Sequence, residues 1–249
     1  MTDKIYETDE ILSQYLVFHY GASSDQMPWE FGPKEALFFP KRCIQEGVDL
    51  DRIPTASRGL DIGCAVGRSS FELAQYCDEV IGIDYSHRFI EAASDLRSKG
   101  QLTIDMVQTG ELSKKVEIKA PIKGENIQFQ QGDAQFLPDN LGTFDVVLAA
   151  NLLCRLQQPK LFLDRLASLI NPGGQLIVTT PNTWLETFTA KDYWLGGTSQ
   201  AGEPIEALKK ELSSHFSLNL VWNMPFLIRE HVRKYQWSVA QASRWIRKS

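Results

Sequence analysis

The chain has 249 residues, 43% hydrophobic and 23% charged, with 26 basic against 31 acidic side chains and a net charge of -5, a length and balance suited to one α/β domain with a full core. Basic residues cluster only at 229–234 and 244–248, which excludes an extended phosphate-neutralising face, so no nucleic-acid partner is expected. No apolar run approaches the roughly 20 residues of a membrane span, and Met1-Thr2-Asp3-Lys4 opens no signal peptide, so the expectation is a cytoplasmic protein without a membrane partner.

Thr8-Asp9-Glu10 reads as a helix start, and Ile11, Leu12, Tyr15, Leu16 and Phe18 recur at helical spacing up to a stop at Gly21. Most of that stripe is packing; His19 and Tyr20 at its end are the exceptions. A second helical pattern spans 33–46, and Pro40 is expected to kink or break it. Residues 1–57 thus read as a helical cap on a core at 58–249, with no linker dividing the chain, so 1–249 is expected to form one domain.

The core begins with a strand at 60–62, a helix at 68–76, a strand at 80–84 and a helix at 86–99. From 101 to 126 the pattern changes: Leu102-Thr103-Ile104 and Val116-Glu117-Ile118 alternate on either side of a polar stretch containing Gly110. This predicts an inserted hairpin, either a cap over a site or a surface excursion. Core strands resume at 127–129, ending in Gln131-Gly132-Asp133-Ala134, and at 144–151, whose continuous apolar run marks a buried parallel strand. A helix at 161–170 stops at Asn171-Pro172-Gly173-Gly174 before a strand at 175–180. After an aromatic-rich loop, 205–214 is helical, and 218–224 with 227–232 are predicted to close the sheet as a hairpin around Pro225.

Function is most legible in Gly59-Leu60-Asp61-Ile62-Gly63-Cys64-Ala65-Val66-Gly67-Arg68 and the following Val80-Ile81-Gly82-Ile83-Asp84. An apolar run ends in a glycine loop that opens a helix, and a second run ends in an acid about twenty positions on, as a ribose-binding βαβ unit requires. The loop spells D-x-G-x-x-x-G, however, and Asp61 at its start would repel a phosphate while accepting a hydrogen bond from an ammonium group. S-adenosylmethionine fits both ends, being a ribonucleoside with a cationic amino-acid tail and no phosphate. Asp61, Gly63, Cys64, Ala65 and Gly67 are then cofactor contacts, together with Asp84 on the ribose hydroxyls and Tyr85 beside it. Asp133 and Ala134 end the third core strand, where an acid can bind the adenine amino group, and Asn151 ends the fourth, next to the transferred group. The cysteines (Cys43, Cys64, Cys77, Cys154) and histidines show no metal-ligand spacing, so no metal is expected and the thiols are expected to be reduced.

These segments in this order resemble the class I S-adenosylmethionine-dependent methyltransferases, with Asn171-Pro172-Gly173-Gly174 matching their turn before strand five. The resemblance implies a Rossmann-like α/β fold, a mostly parallel seven-stranded sheet with helices on both faces, and S-adenosyl-L-homocysteine as the spent cofactor. The flanks resemble a narrower group: the run from Tyr6 to Gly21, then Phe39-Pro40-Lys41-Arg42-Cys43, Thr183-Trp184-Leu185-Glu186, Trp194-Leu195-Gly196-Gly197 and Pro225-Phe226-Leu227-Ile228-Arg229-Glu230. That group is the 5-thiohistidine N-methyltransferases of ovothiol biosynthesis, often the C-terminal domain of 5-histidylcysteine sulfoxide synthase. It implies methylation of the side-chain-proximal (π) ring nitrogen of 5-thiohistidine to give ovothiol A, by an enzyme here free-standing and functionally linked to the synthase. The family carries an acid where this chain has Cys154 and an aromatic residue where it has Asn182, so neither receives a catalytic role.

An imidazole attacks through a free lone pair and needs no strong base near neutral pH; the enzyme must hold the far proton and anchor the amino-acid tail. Arg42, Arg68, Arg155 and Arg229 are candidates for the carboxylate. His19, Tyr20, Asn151 and Asn182 are candidates to hydrogen-bond the ring or thiolate, the first three also as catalytic groups, and Trp184 or Phe18 to pack on the ring face. Two alternatives stay open: another small amine or thiol as acceptor, or a non-catalytic cofactor-binding partner of the synthase.

Overall fold

The computed structural model describes residues 6–249, so the reading of Met1-Thr2-Asp3-Lys4 lies outside the described residues. The N-terminal cap contains α1 (Asp9–Tyr20), the short α2 (Ser23–Gln26) and α3 (Phe39–Gln45). Thr8 caps α1 as its sequence predicts, its hydroxyl accepting the Ile11 N–H at 3.3 Å, with Asp9 and Glu10 on the first turn where the helix dipole favours acids. The second helical pattern does break, but at Phe38, which adopts a left-handed φ of 58°. Pro40 instead lies in the first turn of α3, where its missing N–H removes no helical hydrogen bond.

The remaining chain runs β1 (Arg58–Ile62), α4 (Arg68–Leu73), β2 (Glu79–Asp84), α5 (His87–Lys99), β3 (Gln101–Thr109), β4 (Leu112–Lys119) and β5 (Ile127–Gln131). It continues with β6 (Phe144–Ala150), α6 (Pro159–Leu169), β7 (Ile170–Thr180), α7 (Pro204–Leu212), β8 (Phe216–His231) and β9 (Lys234–Arg247). Seven strands form one sheet in the order β5-β2-β1-β6-β7-β9-β8. The first five are mutually parallel, β9 runs antiparallel to β7, and β8, antiparallel to β9, returns to the direction of the first five. From β1 the chain builds outward through β2 to β5, then returns to place β6 on the other side of β1. That reversal is the topological switch point, where a crevice opens at the carboxyl ends of the strands.

Alternate strand residues feed two cores. Val80, Val146, Leu148 and Ile177 pack with Leu16, Phe71 and Phe89 on one face. Leu60, Ile62, Val147, Ala149 and Val178 pack with Phe162, Leu166 and Leu208 on the other. Helices therefore cover both faces, and the fold is Rossmann-like. Each such side chain that is fully buried contributes on the order of 1.5–3 kcal/mol. Among the described residues no helix is long and apolar enough to cross a membrane.

Two sequence expectations need correction or completion. No hairpin turns at Pro225: β8 runs unbroken for 16 residues, Pro225 pairs with Val239, and the chain reverses between His231 and Lys234. Proline is tolerated because β8 is an edge strand, bonded on one side only, so a missing N–H need not interrupt a ladder. The inserted hairpin does form, as the antiparallel pair β3–β4. Its Met106, Val116 and Ile118 join the core beneath α1, and Ser13 of α1 donates its hydroxyl to the Asp105 carbonyl at 2.8 Å. It buttresses the cap from behind.

Candidate active site

At the carboxyl ends of β1, β2, β5 and β6 lies a cleft of about 290 Å³, walled on one side by α1. Its donor half is the glycine loop. Gly63 and Gly67 adopt left-handed φ values of 74° and 87°, and a Cβ on Gly67 would stand 2.6 Å from the Phe129 ring. Only glycine fits there without displacing that ring. The Gly63 and Cys64 N–H groups both donate to the Ile83 carbonyl, at 2.8 and 3.1 Å, which ties the loop to the end of β2.

Asp84 completes the tie. Its Oδ2 accepts the Ala65 N–H at 2.8 Å and its Oδ1 the Ser86 N–H at 2.9 Å, while the residue itself lines the cleft. Burial pushes its pKa up to about 6 against the lowering effect of those hydrogen bonds. Asp61 is fully buried behind the wall; Oδ2 accepts the Ser69 and Ser70 hydroxyls at 2.7 and 2.6 Å, and Oδ1 has no partner among the described residues. Burial raises its pKa to about 6 as well. A buried carboxylate with an unpartnered oxygen, next to a second carboxylate on the wall, fits a ribonucleoside with a cationic tail and suits a phosphate poorly.

Gly63, Ala65, Asp84, Tyr85, Asp133, Ala134 and Asn151 all line the cleft; Asp61, Cys64 and Gly67 support it from behind. Asp133 is partly committed, its Oδ1 accepting the Gln135 N–H at 2.8 Å. Beside it Phe136 and Leu161, which the sequence reading passed over, present apolar surface at the cleft wall, with Phe136 74% exposed. Their residue types carried no signal until the fold set them next to Asp133.

The acceptor half draws on the cap and on the loops after β6 and β7. Phe18, His19, Asn151 and Arg155 line it, joined by Tyr6, Tyr15, Phe39, Phe188 and Ile228, none of which the sequence singles out as an acceptor contact. The available signal was that Tyr15 and His19 lie four residues apart, on one face of α1. Asn151 holds a left-handed φ of 52°, fixed by its N–H to the Thr179 carbonyl at 2.8 Å and by Thr179 Oγ1, which donates to its Oδ1 at 3.0 Å. His19 is 6% exposed, and its Nδ1 has no hydrogen-bond partner among the described residues. Burial, aided by the nearby Arg68 charge, lowers its pKa to about 3, so the ring is neutral at working pH.

Of the four candidate arginines, only Arg155 reaches the cleft. Its Nη1 donates to the Cys154 and Thr183 carbonyls at 3.1 and 3.2 Å, and the guanidinium sits 4.8 Å from the Phe188 ring centroid. Burial opposes its charge, but Cys154, Tyr6 and Tyr15 outweigh burial and raise its pKa further. The other three are fastened elsewhere. Arg42 pairs with Glu46 at 2.6 Å and donates to the Pro225 carbonyl at 2.9 Å; Arg68 pairs with Glu72, Nε to Oε1, at 2.9 Å. Arg229 donates to the Asp25 carbonyl at 2.6 Å and to Gln108 Oε1 at 3.1 Å.

Tyr20, Asn182 and Trp184 also lie outside the cleft wall. Tyr20 donates its hydroxyl to the Val66 carbonyl at 2.7 Å and so holds the glycine loop from the cap side. Asn182 accepts the Thr180 hydroxyl at 3.2 Å, and Trp184 stacks on Trp194 with centroids 6.3 Å apart. Among the described residues no three His, Cys, Asp or Glu side chains gather as metal ligands.

Comparison with known proteins agrees with the geometry. Residues 38–237 match the family model described as "Methyltransferase domain". A ubiquinone biosynthesis O-methyltransferase of Coxiella burnetii is 28% identical over 138 residues, covering 54% of this chain and 49% of that protein. The chain therefore spans about half the length of such curated relatives. An uncharacterised methyltransferase of Bacillus subtilis is 22% identical, covering 78% of this chain and 74% of its own. Among solved structures, the N-methyltransferase NodS of Bradyrhizobium japonicum in complex with S-adenosyl-L-homocysteine superposes with a TM-score of 0.57 at 17% identity, over 96% of this chain and 97% of that one. With four-fifths of its length inside the family model and the glycine loop, acidic strand end and switch-point cleft in place, the chain belongs to the methyltransferase domain family.

Proposed function

We propose that the protein is an S-adenosylmethionine-dependent N-methyltransferase acting on the π ring nitrogen of 5-thiohistidine, with ovothiol A as product. The observation that carries this reading is Arg155: a half-buried guanidinium facing a 290 Å³ cleft beside Asn151 suits a small acceptor with a carboxylate. The flanking segments add the resemblance to the thiohistidine enzymes.

The donor supplies a sulfonium-bound methyl group that needs no metal activation. Asp84 orients the ribose end, and Ser69 on the wall, its hydroxyl donated to Asp61 Oδ2, presents its oxygen as an acceptor toward the ammonium end with the Asp61 charge behind it. Arg155 fixes the acceptor's carboxylate, and Phe18 and Phe188 exclude water around the ring. The chain's principal task is alignment, since holding the reacting atoms in line at near-attack distance supplies much of the acceleration. On this reading the protein follows the sulfoxide synthase, which precedes the free thiohistidine.

The relatives named for O-methylation favour a second reading, a hydroxyl acceptor. Purified protein with labelled S-adenosylmethionine, offered 5-thiohistidine, histidine and a phenolic acid in parallel, separates the two. The expected result is turnover of 5-thiohistidine with the methyl on the π nitrogen by NMR, and far slower turnover of histidine. Preferred methylation of the phenolic oxygen, or of sulfur, refutes the thiohistidine assignment.

A further inference from the structure

His19 has the geometry of a group waiting for a partner. It is 6% exposed, lines the cleft, and holds a buried Nδ1 with no hydrogen-bond partner among the described residues. Its ring is immobilised by aromatic neighbours, edge-on to Phe18 at 5.4 Å and tilted against Tyr15 at 6.0 Å between centroids. A buried polar atom left unsatisfied is destabilising, a cost that a ligand bonded to the ring nitrogen would remove. Burial first, and the nearby Arg68 charge second, disfavour a positive charge on the ring, which keeps one nitrogen available as an acceptor.

We infer that His19 is the positioning residue of the acceptor subsite: its neutral imidazole accepts a hydrogen bond from the far ring N–H of the substrate, which leaves the π nitrogen with its lone pair free toward the methyl group. This rests on the carboxylated-imidazole reading given above. The balance needs no base. The π lone pair forms the new N–C bond, the electron pair of the broken C–S bond stays on sulfur as the sulfonium becomes a thioether, and the substrate's thiolate offsets the positive charge gained by the ring. The far proton never leaves, so the group that holds it must accept a hydrogen bond without taking the proton, which an imidazole of such low basicity does. Arg155 at the tail and His19 at the far nitrogen then define the ring's orientation by its two ends.

The test uses the full chain. Wild-type protein is first assayed on 5-thiohistidine; absence of any turnover sinks the substrate reading and this inference with it. With turnover established, His19→Phe is expected to lower kcat/KM for 5-thiohistidine by about tenfold or more and to scatter the methyl between the two ring nitrogens, with the cofactor Kd within about twofold of wild type. His19→Gln, which keeps an acceptor, is expected to restore part of the rate and the π preference. Unchanged rate and regiochemistry in His19→Phe overturn the role of His19 while leaving the substrate assignment standing. A second readout needs no substitution: in protein labelled with ¹⁵N-histidine and loaded with S-adenosylhomocysteine, the acceptor nitrogen of His19 should shift on adding 5-thiohistidine. A His19 resonance indifferent to saturating 5-thiohistidine, or cofactor binding lost together with turnover in both variants, also overturns the proposal.

Discussion

The two halves of the cleft are held by different kinds of contact. The donor half is built from backbone: Gly63, Cys64 and Ala65 give their N–H groups to the Ile83 carbonyl and the Asp84 carboxylate, and Tyr20 pins the Val66 carbonyl from outside. The acceptor half is built from side chains, with Tyr6, Tyr15, Phe18, His19, Arg155 and Phe188 converging from separate elements. A site made of backbone tolerates few changes and serves one ligand across a family. A wall made of side chains is re-specified by single substitutions, which is how one fold hosts many acceptors.

Damage to the donor half should therefore be the more severe. Gly67→Ala places a methyl group 2.6 Å from the Phe129 ring on a backbone with φ of 87°. Left-handed strain plus overpacking costs on the order of 3 kcal/mol, and for a chain of this size that lowers Tm by about 6–12 °C. Cofactor binding should fall with it. Calorimetry showing wild-type Tm and Kd for this variant would remove the rigid-loop account.

Asp84→Asn comes next. The amide retains one acceptor for the Ala65 or Ser86 N–H but loses the charge, and with it the two-sided grip on loop and ribose. The Kd for S-adenosylmethionine should rise about tenfold or more, since each charge-assisted hydrogen bond is worth about 1.5–3 kcal/mol. Titration of a folded variant with unchanged affinity would break the ribose assignment.

The donor half was readable in the sequence because its parts are close along the chain: a loop, an acid about twenty residues on, and polar residues at strand ends. The acceptor half was readable only in part: Phe18, His19, Asn151 and Arg155 stood among the candidates, but positions 6, 15, 188 and 228 meet them only after the sheet has formed. Among the arginines, part of the answer was nonetheless available. Arg42 and Arg68 each have a glutamate four residues on, and those helical pairs, Arg42 with Glu46 and Arg68 with Glu72, occupy both guanidinium groups. Pro225 misled for the opposite reason. A proline is a turn signal, and nothing local says that its strand will lie at the edge of the sheet.

Arg155 sharpens the contrast at smaller amplitude. Arg155→Lys should raise KM for the amino-acid acceptor severalfold without changing the cofactor Kd, because lysine cannot reproduce the planar fork. Arg42→Lys, Arg68→Lys and Arg229→Lys should shift Tm and leave that KM alone, as their partners are Glu46, Glu72 and the Asp25 carbonyl. A KM effect from one of these three in place of Arg155 would move the carboxylate out of the cleft described here.

The smallest effect separates stability from function within the donor half itself. Asp61 is fully buried, and burial raises its pKa from 3.8 to about 6. Between those values the folded chain binds a proton that the unfolded chain has released, so this group's contribution to stability falls as pH rises through the window and is most unfavourable above it. Asp61→Asn removes the charge while an amide oxygen can still accept from Ser69 and Ser70. At pH 7.5 the ligand-free variant should melt higher than wild type, by about 2–4 °C for each kcal/mol recovered, and the gain should vanish below about pH 4, where both states of the wild-type acid are protonated. Cofactor affinity should move the other way. Wild-type affinity should rise with pH through about 6 and then level, as Asp61 and Asp84 become the charged acceptors the ligand needs, and in Asp61→Asn that rise should be shallower because only Asp84 still titrates. Thermal melts and calorimetric titrations across pH 4.5–8 measure both. A variant less stable than wild type at pH 7.5 would mean that the Asp61 carboxylate is held for the fold, and its unpartnered oxygen would then say nothing about the ligand.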